Sequence, residues 1–356
     1  MRSLYLSCLL TAMMSCRATN VSFAQNPCYE FIPTGKVTDV YYTSSDIWIG
    51  TEADGLIQLN NSTYAIEQIY TPSNSSLDSL YIESIHHFRQ RIVVSTGKSL
   101  FRLGGQFEVL VDSISGLLAS GPSWNQLYVV DDRDMYLVEW DSVIYHQDLT
   151  QIVPDACCTR NTAALGYLDG LWISHHDFYE FDILHFDGTN WTVYGDHNSI
   201  LPVESFQHND LTYAPEGGIF ASHWGGIDYF DHQTDQWAPF HRPNSGDIIV
   251  GTDTLKNTIS AIGMDSWGGI WVGVDPYIDG QVNAKLAYFD SQEWHYLDGF
   301  SPDSFTTHVI DITINSKQDA YFGTSEGLLI VNKKCLGLLS SNEALIEAES
   351  VQIYPN

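Results

Sequence analysis

Residues able to do chemistry recur in this chain directly after short apolar runs. They are Glu52 and Asp54, Lys98, Asp131 with Asp132, Arg133 and Asp134, His175 with His176 and Asp177, His223 with Trp224, Asp275 with Tyr277 and Asp279, and Glu326. Imidazoles beside carboxylates can ligate a metal or move a proton, and Trp224 and Tyr277 can stack on a sugar ring or a peptide. For any one of these residues the competing reading is a turn-forming Asp or a solvated His. Sharper signatures fail. Gly97-Lys98-Ser99 resembles the end of a phosphate loop, but Ile92 stands where the first glycine is required. Asp275, Asp279 and Gly280 are spaced as in a calcium loop, but Tyr277 replaces a ligand and Leu286 occupies the place of the closing Glu. Neighbouring His175 and His176 point to opposite faces of a strand, so they can share an ion only if the loop bends.

What positions these residues is a repeat. An apolar β run ending in a small residue occurs as Ile47-Trp48-Ile49-Gly50, Ile92-Val93-Val94-Ser95, Leu127-Tyr128-Val129-Val130, Leu171-Trp172-Ile173-Ser174, Ile219-Phe220-Ala221-Ser222, Ile270-Trp271-Val272-Gly273 and Ala320-Tyr321-Phe322-Gly323. Successive copies lie 45, 35, 44, 48, 51 and 50 residues apart, each about the length of a four-stranded propeller blade. Within one unit, Ile259 to Leu297 holds four apolar runs divided by Gly, Asp and Ser turns, and no stretch between Pro27 and Asn332 shows a capped helical period, so helices should be few and short. The expected fold is all-β, a seven-bladed β-propeller. Trp48, Trp172 and Trp271 should lie in its core. A single blade leaves both faces wet, so the blades must be stable together. The seventh unit holds only three strands, Val309 to Ile314, Ala320 to Gly323 and Gly327 to Val331. The missing fourth is expected from Tyr29 to Ile32, which closes the ring and removes a free sheet edge. That closure brings Cys28 near Cys335, and a disulfide between them is expected.

If the strand order is as argued, all the loops after second strands gather on one axial face. Two of them are enlarged, His175 to Ile183 and Val274 to Lys285. The ends of the chain speak for an oxidising compartment. Arg2, the apolar run Leu4 to Met14 and the small residues of Ser22-Phe23-Ala24 read as a signal peptide over 1–24, and eleven apolar residues are too few for a membrane span, so no transmembrane segment is expected. Lipoprotein processing at Cys16 is the alternative. Cys157 and Cys158 are adjacent, which leaves a vicinal disulfide, two free thiols or an inert loop pair. The formal charge of −29 arises from scarce Lys and Arg rather than abundant acids. Nucleic acid and anionic membrane surfaces are disfavoured partners. An extracellular glycan or protein, or a divalent cation such as Ca2+, is compatible with it. No other cofactor is implied, and the chain is expected to be a monomer.

Asp46 to Thr51 with Gly55-Leu56, Gly269 to Gly273, and Asp319 to Leu328 resemble two-component regulator propeller repeats, as do Tyr288-Phe289-Asp290 with Trp294 and Phe186-Asp187-Gly188 with Trp191. The resemblance covers roughly residues 28–335, with blades two and three departing from it at Val93 and Tyr128. After a linker over 336–347, Val351-Gln352-Ile353-Tyr354-Pro355-Asn356 resembles the opening of a type IX secretion sorting domain over 348–356. Such tails belong to Bacteroidota and imply export by the type IX machinery, with release or attachment at the cell surface; only the opening of the domain is present. The expected function is a binding or interaction module using Glu52, Lys98, Asp131, Asp132, Arg133, His175, His176, Asp177, His223, Trp224, Asp275, Tyr277, Asp279 and Glu326 on one face. The alternative is a polysaccharide lyase or hydrolase using His and Asp there.

Overall fold

A computed structural model describes residues 28–153, 160–167, 170–176, 181–195, 208–214, 217–223, 226–241, 248–250, 253–255, 259–274, 285–297 and 308–333. These residues form seven antiparallel four-stranded sheets. We letter the strands of each blade a to d from the axis outwards. Blade one is Val37–Tyr42, Asp46–Thr51, Leu56–Asn60 and Ile66–Tyr70. Blade two is Ser84–Phe88, Arg91–Ser95, Leu100–Leu103 and Phe107–Val111. Blade three is Leu117–Ser120, Gln126–Val130, Asp134–Glu139 and Ser142–Asp148. Blade four is Arg160–Tyr167, Gly170–His176, Phe181–Phe186 and Trp191–Tyr194. Blade five is His208–Ala214, Gly218–His223, Gly226–Asp231 and Gln236–His241. Blade six is Ile259–Met264, Ile270–Val274, Lys285–Phe289 and Trp294–Tyr296.

Blade seven takes three strands from the end of the propeller, Val309–Ile314, Ala320–Thr324 and Gly327–Val331, and its d strand, Tyr29–Pro33, from the beginning. Tyr29 lies opposite Val331 and Pro33 opposite Gly327, so the N-terminal strand closes the ring. Cys28 is disulfide-bonded and its carbonyl accepts from Asn332 N at 2.9 Å, while Cys335, Cys157 and Cys158 lie outside the described residues. Each a strand packs on the a strand of the next blade, and the seventh on the first.

The repeat has a physical basis at the seams. One cluster of buried apolar side chains fills each gap between neighbouring blades, seven in all among the described residues. A large apolar side chain buried there is worth about 1.5–3 kcal/mol. Trp172 and Trp271 are fully enclosed and Trp48 nearly so. Where the run ends in glycine, the next blade dictates it: a Cβ on Gly323 would lie 2.7 Å from Val37 Cγ1, and one on Gly273 2.5 Å from Val309 Cβ. The closing seam between blades seven and one holds Ile32 of the N-terminal strand with Val37, Val40, Ile47, Tyr321 and Leu328.

Two features were not visible as spacing. In blades one, four, five, six and seven the a–b pairing slips by one residue near its start, as between Val37 and Asp39; blades two and three, which depart from the repeat, have no such bulge. Between blades five and six the strands Ile248–Val250 and Asp253–Leu255 pair as a separate hairpin. One short 3-10 turn, Leu149–Gln151, is the only helical element among the described residues.

Candidate functional site

The b–c connections share one end of the ring, and one repeat position there decides how each is built. It is the residue just after the small residue of the b strand: Thr51, Thr96, Asp131, His175, His223, Val274 and Thr324. In blades one and seven the threonine hydroxyl folds back onto the turn, Thr51 Oγ1 donating to Gly55 O and Thr324 Oγ1 to Gly327 O, each at 2.7 Å. In blade two Thr96 Oγ1 donates to Asp78 Oδ1 at 2.6 Å and its backbone N–H reaches Ser99 O at 3.2 Å. In blade three Asp131 Oδ1 accepts from the backbone N–H of Arg133 at 2.8 Å and of Asp134 at 2.7 Å. These four connections are closed turns, as short polar side chains that bond to nearby backbone make them.

Blades four and five place histidines at that position instead. His175 is 2% exposed, with Nδ1 at 2.8 Å from Asn161 Oδ1. Asn161 in turn donates through Nδ2 to the Asp131 carbonyl, so the imidazole is tied to the blade-three turn. His223 and Asp228 are both fully buried, with Nε2 and Oδ2 3.4 Å apart. Blade six keeps Val274 and spans residues 275–284 before its c strand begins.

Among the residues expected on this face, Glu52, Lys98, Asp132, Arg133 and Glu326 are exposed. Glu52 pairs with Lys36 at 3.1 Å, and Lys98 Nζ lies 3.4 Å from the Asp78 carbonyl. His176 ends its strand, paired with Arg160 and Phe181. Asp177, Trp224, Asp275, Tyr277 and Asp279 lie outside the described residues. The structure brings Asp131, Asn161 and His175 together across a seam and sets His223 on Asp228. It also places Glu83 beside Asp131 and Asp132. Burial raises the Glu83 pKa, with the charges of Asp132 and Asp131 adding to it and a hydrogen bond from Ser95 opposing. Burial likewise raises Asp131.

Three further acids sit on a strands and reach the next blade. Asp311 Oδ2 accepts from Val40 N at 2.8 Å, Asp39 Oδ2 from Ile85 N at 2.5 Å, and Asp210 Oδ2 from Ile262 N at 3.0 Å. Ser84 Oγ does the same for Leu118 N at 3.2 Å. Each caps an N–H that the inner sheet edge would leave unpaired. The carboxylates are half-buried, walled by protein but bordering the axis. Burial pushes Asp210 up to about 8, with the Asp311 charge a second cause, and Asp39 and Asp311 are also raised, burial first. Sequence reading missed these residues, although Asp39-Val40, Asp210-Leu211 and Asp311-Ile312 share an Asp-aliphatic pair at one place in the repeat. Among the described residues no three His, Cys, Asp or Glu side chains form a group able to hold a metal ion.

The geometry defines a seven-bladed β-propeller with one face in which blades four to six differ from the rest. No protein-family model matches the chain, and no curated protein matches it. Solved structures share its fold. The extracellular domain of the hybrid two-component system BT3049 from B. thetaiotaomicron matches with a TM-score of 0.65 at 15% identity, over 92% of this chain and 42% of that one. The chain thus spans about two fifths of that extracellular domain. Streptogramin B lyase matches with a TM-score of 0.64 at 12% identity, over 85% of this chain and 97% of the lyase. YCF48 bound to D1 peptide matches with a TM-score of 0.60 at 12% identity, over 86% of this chain and 97% of YCF48. The extracellular domain of a two-component system, a lyase and a peptide-bound protein on one fold leave the function to be argued from the site. No helix among the described residues is long and apolar enough to cross a membrane.

Proposed function

We propose that the chain is an extracellular recognition module that holds a glycan or a protein on the face of the b–c connections, over blades four to six. The observation that carries this reading is the change at the repeat position that follows the b strand. Blades one, two, three and seven use it to close a turn, whereas blades four and five bury an imidazole there and blade six has ten residues of sequence between its b and c strands. The excess of acids favours neutral or basic ligands, and Trp224 and Tyr277 supply stacking surfaces. Likeness of fold to the extracellular domain of a two-component system and to a peptide-bound protein supports binding as the role. Export by the signal peptide and the type IX tail, and pairing of Cys28 with Cys335, belong to the same reading.

The test is a screen of the mature chain against immobilised glycans and extracellular proteins, followed by calorimetric titration of the retained ligand. Trp224→Ala should weaken binding by about tenfold or more, a loss of about 1.4 kcal/mol; unchanged affinity contradicts the assignment. A lyase or hydrolase on the same face is the second reading, motivated by the lyase that shares the fold. It requires turnover of the ligand that disappears in His223→Ala.

A further inference from the structure

The opposite end of the ring, where the a–b and c–d turns lie, carries an exposed aromatic corner on blades two and three. Trp124 at the tip of the blade-three a–b turn is 73% exposed, and Trp140 in its c–d turn is 47% exposed. Their rings meet edge to face, with centroids 6.1 Å apart and planes at 76°. The Arg89 guanidinium, from the blade-two a–b turn, lies 3.6 Å from the Trp140 ring centroid and 5.6 Å from that of Trp124. Below them Glu139 is fixed by Asn125 Nδ2 at 2.8 Å and Gln126 Nε2 at 3.3 Å.

The backbone supplies a second, independent observation. Arg89, Gln90 and Trp140 take φ of 53°, 62° and 63°. A two-residue hairpin turn with two left-handed residues favours Asn-Gly, and a bulky side chain in that region is strained. Here an Arg, a Gln and a Trp occupy such positions within one patch. Strain held at a cluster of exposed functional side chains points to a use for those side chains.

We propose that Trp124, Trp140, Arg89 and Glu139 form a binding site for a neutral pyranose oligosaccharide. The C–H face of a pyranose is apolar and slightly positive and matches the negative face of an indole ring. The guanidinium donates to ring hydroxyls and the Glu139 carboxylate accepts from them. The two indoles expose roughly 300 Å² between them if a tryptophan side chain presents about 250 Å². That suits one or two sugar rings and falls short of the ~800 Å² per partner of a stable protein interface. The site is separate from the b–c face and does not depend on it.

The experiment is a tryptophan-fluorescence titration of the mature full chain with cellohexaose, laminarihexaose and mannohexaose. At least one sugar should give a saturable change in emission. Trp124→Ala should weaken its binding by about tenfold or more without lowering Tm. The double variant Arg89→Asn with Gln90→Gly should raise Tm by relieving the turn while binding falls. No response to any of the three sugars overturns the proposal, as does equal affinity in Trp124→Ala. Concentration-dependent self-association in sedimentation that Trp124→Ala abolishes, with no sugar response, would mean that the corner is a protein contact instead.

Discussion

At the scale of single residues, the acids that reach across the inner seams make a claim about pH. Asp210 accepts the Ile262 N–H while burial and the Asp311 charge push its pKa from 3.8 up to about 8. Between those values the unfolded chain has released a proton that the native chain keeps, so stability falls as pH rises through the window. The contribution is present in full below the unfolded value and is lost by the time pH passes the folded one. Urea unfolding should therefore show a lower midpoint at about pH 8.5 than at about pH 5.5. In Asp210→Asn, whose carbonyl oxygen still accepts from Ile262, that difference should shrink. An unchanged difference in the variant contradicts this role. These residues were hard to read from sequence because a bulge displaces them: the slip between His208 and Asp210 falls just where the acid stands, and the shared Asp-aliphatic pair is the one signal of it in the repeat. The histidines at 175 and 223 were legible as candidates. Their burial was not, because it depends on partners at 161 and 228 contributed by neighbouring strands.

At the scale of elements, the a–b turn of blade six shows how one turn anchors the end of the propeller. Asp265 Oδ1 accepts from the N–H groups of Trp267 and Gly269, both at 2.9 Å. Its Oδ2 accepts from Tyr288 Oη at 3.0 Å and from Lys333 Nζ at 2.9 Å. Lys333 is 2% exposed and lies 4.3 Å from the Trp267 ring centroid. Removing one partner of a buried pair leaves the other charge uncompensated, at a cost of about 3–5 kcal/mol. Lys333→Ala should lose stability of that order by chemical denaturation, and adding Asp265→Asn should recover part of it. A loss below about 1 kcal/mol would show that the pair is no anchor. The turn itself is evident in Asp265-Ser266-Trp267-Gly268-Gly269. Its partner lies 68 residues further along and follows only from the ring.

At the scale of the whole molecule, the seven apolar runs all prove to be b strands, because each seam takes a buried apolar side chain from its run, and in blades one, six and seven the glycine that ends the run leaves room for a neighbouring side chain. Closure was legible for the same reason: three strands in the last unit and one spare strand at the start can satisfy each other only by pairing. The hairpin at 248–255 was not, since it lies outside the repeat and no seam constrains it. The ring is also the frame for both proposed sites, which sit at opposite ends of one axis. The measurement that tests this frame most directly is native-state hydrogen exchange of residues 29–33 against residues 327–331. Ladder amides of both segments should exchange together, only on global unfolding, as expected for strands of one cooperative sheet. Exchange of the 29–33 amides within seconds while 327–331 stay protected would show that the N-terminal strand does not close the propeller.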